Sequence, residues 1–392
     1  MRILFLSQRV PYPPNRGDKI TTWRLIERMR RSHEVRVIAF AHDDADRAAA
    51  RHLSSIGLQT LAVDHDARSA KLRSLPLLLT SRPLTLGVYG SRLLQEAVDR
   101  EAAWADLAYA YSSSMGAFLE PHPRLRRVMH FAELDSDKWR QYAERSAPPM
   151  KWIYAREQRC LLAFETRVAR AFSENVFCTP LEQQVFQAQI PGASSIVLRN
   201  GVDTAFFQPR PAEAQPRHLV FTGVMDYLPN VDGCEFFVRE VLPSLRARYP
   251  DVRFTIVGSK PTAAVQALAR EPGVTVTGFV EDTRSWLAKA AISVAPLRIA
   301  RGIQNKVLEA LAMGLPVVGT SSATQGIEGV DGRDFIVANS AQEQVAAIAR
   351  LFDAPEEARA LGARGRAFAL GRYDWEQVLE PLDRLLERLS PT

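Results

Sequence analysis

The sequence predicts an α/β protein built from two doubly wound, Rossmann-like domains facing a central cleft. Three observations carry this. Short apolar runs of strand character alternate with amphipathic helical stretches along the chain. The alternation restarts near residue 218, after a segment rich in Pro and charge, PRPAEAQPR at 209–217. The 392 residues suit two or three domains at roughly 150 residues each.

The first half opens on an apolar run, Ile3 to Ser7, then a Pro-rich loop, Pro11 to Gly17. A helix follows, with Asp18 as its expected N-cap and Ile20, Trp23, Ile26 and Met29 on one face. Val35–Phe40 is the next strand, giving the strand, loop, helix, strand order that begins a doubly wound sheet. Further strands are expected at Gln59–Val63, Leu107–Tyr111, Val128–Phe131, Asn175–Thr179 and Ser195–Leu198, with a long helix over about 150–172 between two of them. The second half repeats the scheme. Strands are expected at His218–Gly223, Phe254–Gly258, Val274–Gly278, Ile292–Ala295, Pro316–Thr320 and Phe335–Val337, with a helix over Gly233–Tyr249. A last helix carries Trp375, Val378, Leu379, Leu382, Leu385, Leu386 and Leu389 as one apolar stripe. The expected domains are 1–200 and 201–373, with the helix at about 374–390 placed to pack back on the first.

Composition narrows the class. With 46% apolar and 24% charged residues the chain is an ordinary globular one, which excludes a disordered chain, a collagen and a disulfide mini-protein. Cys160, Cys178 and Cys234 lie far apart in no metal spacing, so a reducing cytosol fits. The N-terminal MRILFLSQRVPYPP reads as a first strand rather than a signal peptide. The longest candidate span, LPLLLT at 75–80, is far short of the ~20 residues that cross a bilayer. Net charge is +6, and it is unevenly placed: residues 1–210 hold 30 Lys and Arg against 22 Asp and Glu, residues 211–392 hold 20 against 22. The basic half suits an anionic membrane surface or a phosphorylated substrate, or is simply a solvated surface. It holds no nucleic-acid motif and no platform of aromatic and basic residues, so nucleic acid is not an expected partner.

Ligands of doubly wound sheets bind outside the carboxyl ends of the strands. The richest such stretch is 278–327. The strand Ile292–Pro296 leads into a loop bearing Arg298 and Arg301, and a helix starts near Asn305 with Lys306 and Glu309 in its first turns. A helix N-terminus with added cations favours phosphate. Lys306 and Glu309, three apart, share a face; a cation for a diphosphate beside a carboxylate for ribose hydroxyls suits a nucleotide-sugar, and the same spacing also makes a solvated ion pair. In the first half, the strand Val128–Phe131 and its loop hold His130, Glu133, Asp135 and Asp137, followed by Lys138 and Trp139. An imidazole titrating near neutrality or one of these carboxylates could serve as a general base, or be structural.

Five segments now resemble one family. RNGVDTAFFQP (199–209), FTGVMDYLPNVDG (221–233), FTIVGSKP (254–261), VTGFVED (276–282) and KVLEALAMGLPVV (306–318) are similar, in order and spacing, to the retaining family-4 glycosyltransferases of the GT-B fold. SQRVPYPPNRGDK and FAELDSDKW (131–139) resemble a narrower group, the bacterial sugar transferases of exopolysaccharide gene clusters. The resemblance implies a transferase moving a hexose from a nucleotide-sugar, with retention, to a lipid-linked or growing polysaccharide acceptor. It implies that Phe279 and Val280 contact the nucleobase, Glu309 the ribose, Lys306 and its helix the diphosphate. It places Gly302, Ile303 and Gln304 near the transferred sugar, and backbone at Gly17 and Gly223 near phosphate. His130, Asp135 and Lys306 become the catalytic candidates; glycine at 17 would permit close approach and a positive φ.

Two departures stand out. Arg301 occupies the position of the first glutamate of the family's acidic pair, and no Arg or Lys follows Gly223, where Val224, Met225, Asp226 and Tyr227 stand. Arg298, Arg301 and Lys306 are left to meet the diphosphate charge. Asp135 and Asp137 mimic the metal-binding DxD of a different transferase fold, yet lie in the other half from the nucleotide helix, so no essential metal and no further cofactor are expected. The basic helix 150–172, with Lys151, Arg156, Arg159, Arg167 and Arg170, is a candidate membrane face or a core helix with a solvated side. A polyprenyl-diphosphate-linked saccharide and peripheral attachment to the inner face of the cytoplasmic membrane fit the basic half. Two other readings stay open: a non-catalytic nucleotide-sugar or glycan-binding protein, and a sugar-nucleotide epimerase of the same fold.

Overall fold

The structure, a computed structural model, describes residues 1–210, 213–300 and 302–390. The chain divides into two compact units: Met1–Leu198 together with the C-terminal segment from Leu379, and Arg199–Val378.

The first unit is built on a seven-stranded sheet: β1 (Arg2–Ser7), β2 (Glu34–Ala41), β3 (Thr60–Asp64), β4 (Leu107–Tyr111), β5 (Arg126–Ala132), β6 (Glu174–Phe177) and β7 (Ser195–Val197). The order is β3-β2-β1-β4-β5-β6-β7 and every pair is parallel. The second unit holds β8 (His218–Thr222), β9 (Arg253–Val257), β10 (Val274–Val276), β11 (Ile292–Ala295), β12 (Val317–Gly319) and β13 (Ile336–Val337), ordered β10-β9-β8-β11-β12-β13 and again all parallel. Each strand expected from the sequence is present. Strands β4, β8 and β11 are buried throughout, because helices cover both faces of a parallel sheet; that is why they read as apolar runs and not as alternation.

Each sheet reverses its winding once, between β1 and β4 and between β8 and β11. Crevices at such switch points are where these sheets take ligands. In the second unit this singles out Thr222–Gly223 and the residues after Ala295.

Four expectations are corrected. Asp18 is not the N-cap of the first helix: Gly17–Met29 is capped by the extended Arg16, and Asp18 sits in the first turn, where it accepts from Arg16 Nε at 2.6 Å. Gly17 begins that helix and is not among the residues of positive φ, so the freedom of glycine is not used there. The helix expected over Gly233–Tyr249 starts earlier, at Leu228, where Pro229 lacks only an N–H that the first turn leaves unpaired anyway; it runs through Phe236, a π-helical turn and Leu242–Arg248. The C-terminal stripe is cut at Leu379 into Trp375–Val378 and Glu380–Arg388, and Pro381 restarts the second piece. That second piece is held within the first unit by Arg28, which reaches Asp383 at 2.6 Å, and by the ion pair of Arg388 with the buried Glu174. Among the described residues, no helix is long and apolar enough to cross a membrane.

The tightest backbone approach lies at the ends of β8 and β9. A Cβ on Gly258, whose φ is +152°, would stand 1.6 Å from the carbonyl oxygen of Gly223. Gly258→Ala is therefore expected to cost on the order of 3 kcal/mol, through overpacking and backbone strain. Gly371→Ala, in a helix with open space around it, should be neutral or stabilising by up to about 1 kcal/mol. Chemical denaturation of the two variants measures the contrast.

Candidate functional site

The candidate site of the second unit is assembled on the carboxyl edge of its sheet. Because all its strands are parallel, the loops after β8, β9, β10 and β11 leave from the same edge. These loops hold Gly223, Gly258, Phe279 with Val280, and Arg298 to Gln304.

Lys306 is the centre of the arrangement. It lies in the first turn of the helix Asn305–Ala312, whose cap residue Gln304 is extended. Its Nζ donates to Asn230 Oδ1 at 2.5 Å and stands 4.3 Å from the centroid of the buried Phe221 ring. The same Asn230 donates from Nδ2 to the carbonyl of Val224 at 2.8 Å, so one amide ties the lysine to the loop after β8. Gly223 leaves the room: a Cβ there would stand 2.7 Å from Asn230 Nδ2 and 3.2 Å from Lys306 Nζ. Burial pushes the Lys306 ammonium down to about 8. Burial also pushes Glu309 up to about 7, against the pull of Lys306. The pair is thus poised near neutrality, which a solvated surface ion pair is not.

The loop before this helix is braced from the far side. Thr320 Oγ1 donates to Leu297 O at 2.5 Å and Gln325 Nε2 to Ala300 O at 2.6 Å. Gly302 turns with φ +63°, and Gly326 approaches so closely that a Cβ on it would stand 2.4 Å from Gly302 O. Ile303 is buried in the core, Gln304 half-buried. Phe279 stands exposed on the loop after β10, behind the left-handed turn at Gly278, while Val280 packs on the core. Arg301 lies outside the described residues.

Arg298 corrects an expectation. It is not an uncommitted cation for phosphate: its guanidinium is paired in bidentate fashion with Asp232, Nε to Oδ2 at 2.9 Å, and lies over the Phe236 ring. The pairing raises its already high pKa and cancels its charge locally.

In the first unit, His130 is also corrected. It lies inside β5, fully buried, with Nδ1 2.8 Å from the hydroxyl of Tyr109 and its ring 4.7 Å from that of Tyr111. Burial pushes its imidazole down to about 3, so it is neutral at pH 7 and a poor proton acceptor. Asp135 opens the helix Asp135–Glu144 and accepts from Ser113 Oγ at 2.5 Å and Lys138 Nζ at 2.7 Å. Asp137 is buried and held by Arg140 and Gln141. Beside them sits Glu165, which the sequence reading did not single out. It accepts from Ser136 N at 3.2 Å, its Oε2 has no hydrogen-bond partner, and burial with the charge of Asp135 pushes it up to about 8. Among the described residues, no three His, Cys, Asp or Glu gather in a way that could hold a metal.

Asn230 and Asp232 were missed as well. Both lie in the quoted segment FTGVMDYLPNVDG; the absence of a cation after Gly223 was the one signal pointing to that loop.

Comparison with known proteins bears on the family and the fold. Residues 216–354 match the family described as "Glycosyl transferases group 1". A phosphatidyl-myo-inositol mannosyltransferase of Propionibacterium freudenreichii is 30% identical over 197 residues, 48% of this chain and 49% of the relative. A 44.6 kDa protein in the cps region of Klebsiella pneumoniae is 21% identical over 354 residues, 86% of this chain and 87% of the relative. The chain spans about half the length of the mannosyltransferases it matches. Among solved structures, Anabaena HepE in complex with UDP-glucose superposes with a TM-score of 0.73 at 17% identity, covering 99% of this chain and all of that one. At that identity the likeness concerns the fold: two parallel-sheet, Rossmann-like domains of the GT-B type.

The Lys306 environment is open to direct titration. Competitive labelling with an amine reagent should give Lys306 a midpoint near 8, well below that of a surface lysine. Asn230→Asp should move it upward, since a carboxylate favours the ammonium. Labelling at an ordinary lysine midpoint in the unaltered protein would contradict the geometry.

Proposed function

We propose that the protein is a glycosyltransferase that takes a nucleotide-sugar as donor. The observation that carries the reading is the ammonium of Lys306, anchored by Asn230 beside Gly223 at the switch point of the second sheet. A departing diphosphate needs positive charge there, and the N-terminus of the Asn305–Ala312 helix adds its dipole. The proposal assigns Glu309, one turn on, to the ribose hydroxyls and the exposed Phe279 loop to the base. That HepE, of the same fold, binds UDP-glucose supports a nucleotide-sugar donor.

In the proposed reaction the bond from the anomeric carbon to the diphosphate breaks as the acceptor hydroxyl bonds to that carbon on the same face. The proton of the hydroxyl passes to the leaving phosphate oxygen, so retention needs no enzyme nucleophile. Catalysis comes from positioning and from stabilising charge on the leaving group, with Lys306 in place of a metal ion. His130 is given no proton-transfer role. Asp135 is placed on the acceptor side. The lipid-glycan relatives and the cps-region relative support a lipid-linked or growing polysaccharide acceptor and a place in exopolysaccharide synthesis.

A thermal-shift screen of UDP-, GDP- and dTDP-sugars tests the donor site. Lys306→Ala should lose the shift; a variant that keeps it in full removes the phosphate assignment. Glu309→Ala should weaken ribonucleotide-sugar binding by about 1–3 kcal/mol. The pH dependence has a definite sign. Below pH 8 Lys306 is an ammonium whether or not ligand is bound; above it, the free protein must take up a proton to bind. Affinity for a nucleoside diphosphate should fall by up to tenfold per pH unit above 8, as read by calorimetry, a loss separate from the titration of Glu309 near pH 7. Product analysis with and without a glycolipid separates transfer from epimerisation, and the anomeric configuration of the product tests retention.

A further inference from the structure

We propose that residues 67–93 form the face by which this protein docks on an anionic lipid bilayer. The proposal rests on the reading of a lipid-linked acceptor and names the surface that would bring the chain to it.

The segment is a compact hairpin of the helix Ala67–Ser74, the tight turn Leu75–Leu79 and the helix Leu84–Val88. Its two arms are in close contact: a Cβ on Gly87 would stand 2.4 Å from Leu77 Cδ1 and 2.8 Å from Ser74 Cβ. It is clamped from beneath by two neighbours on the helix Met150–Ala171. The buried carboxylate of Glu157 accepts from the backbone N–H groups of Leu84 and Thr85, each at 2.8 Å, and from Thr85 Oγ1. The Arg156 guanidinium donates to the carbonyls of Leu77, Thr80 and Arg82. The polar backbone of the turn is therefore spent inward, and its side chains are held outward in a fixed shape.

What points outward is apolar and basic. Leu79 is 93% exposed, Leu72 68%, Leu93 67% and Leu75 52%. Isolated exposed leucines mean little, but Leu72, Leu75 and Leu79 fall close together on one braced hairpin, and Leu93 lies at the start of the next helix, Arg92–Ala102. From 67 to 95 the chain carries Arg68, Lys71, Arg73, Arg82 and Arg92 and no carboxylate. Among the described residues Lys71, Arg73 and Arg82 make no ion pair, while Arg92 pairs with Glu96. A pocket of about 480 Å³ on the same segment is lined by Arg73, Arg82, Arg92, Tyr89, Leu86 and Phe118, and its three guanidinium groups suit a phosphate head group. Leucines that enter the acyl boundary beside cations that meet lipid phosphates are what an anionic bilayer selects.

The helix 150–171 was open in the sequence to being a membrane face or a core helix with a solvated side, and its packing fits the second. Its buried residues face the core, Arg156 serves the hairpin and Arg167 pairs with Glu120.

Flotation of the full chain with phosphatidylglycerol-containing vesicles, against phosphatidylcholine alone, is the test. Binding is expected to the anionic vesicles at low salt and to weaken as salt screens it. Leu75→Ser with Leu79→Ser, and separately Arg73→Glu with Arg82→Glu, should each reduce binding at least tenfold; Trp152→Ala, exposed on the neighbouring helix, should leave it within twofold. UDP binding, measured on the same variants, should stay within twofold. A chain that floats but binds no nucleotide keeps the docking face and loses the transferase reading. Absence of flotation at low salt, or equal flotation of both double variants, overturns the docking face. So does a self-associated chain in free solution that Leu79→Ser makes monomeric, since the patch is then an interface between copies.

Discussion

The second unit is organised around one half-buried ammonium. Holding Lys306 away from water is unfavourable unless polar partners replace the solvent, and the surrounding sequence answers that need. Asn230 supplies an acceptor, Phe221 an aromatic face, and Gly223 the space in which the amine and the amide meet. Gly223 in turn is fixed by Gly258, whose missing side chain lets the loops after β8 and β9 lie against each other. Residues separated by 76 positions are thereby made interdependent: the lysine of one helix is set by an amide of another and by the absence of two side chains.

Most of the strands were legible because a parallel sheet covered on both faces demands uninterrupted apolar runs, and those survive in a single sequence. The i,i+3 spacing of Lys306 and Glu309 was legible for the same local reason. The partners were not. Arg298 counts as a cation in the sequence, yet Asp232, 66 positions earlier, neutralises it. The missing cation after Gly223 was visible, but not that a neutral Asn230 takes the loop in hand. His130 has an ordinary pKa on paper, and only its burial between Tyr109 and Tyr111 removes it from proton chemistry. The helix 150–171 was read as a membrane face or as a core helix with a solvated side; the fold turns Arg156 toward the 77–82 backbone and leaves Lys151, Arg159, Arg167 and Arg170 exposed.

Charge is distributed differently in the two units, and the difference follows from what each must do under the proposed function. A docking face gains from many weak, exposed cations, because each adds to the attraction of a surface with many phosphates and none must be placed accurately. A leaving-group site gains from one cation in a fixed position. At neutral pH the ammonium is held there by Asn230 and the Phe221 ring in place of water, so little has to rearrange when a diphosphate arrives. As charge accumulates on the diphosphate during bond cleavage, its attraction to that fixed cation grows. The interaction is then stronger with the departing diphosphate than with the intact donor, and only that difference accelerates a reaction. The Arg298 guanidinium, paired with Asp232, would have to leave that carboxylate before it could contribute, which is why the proposed function rests on the tethered lysine.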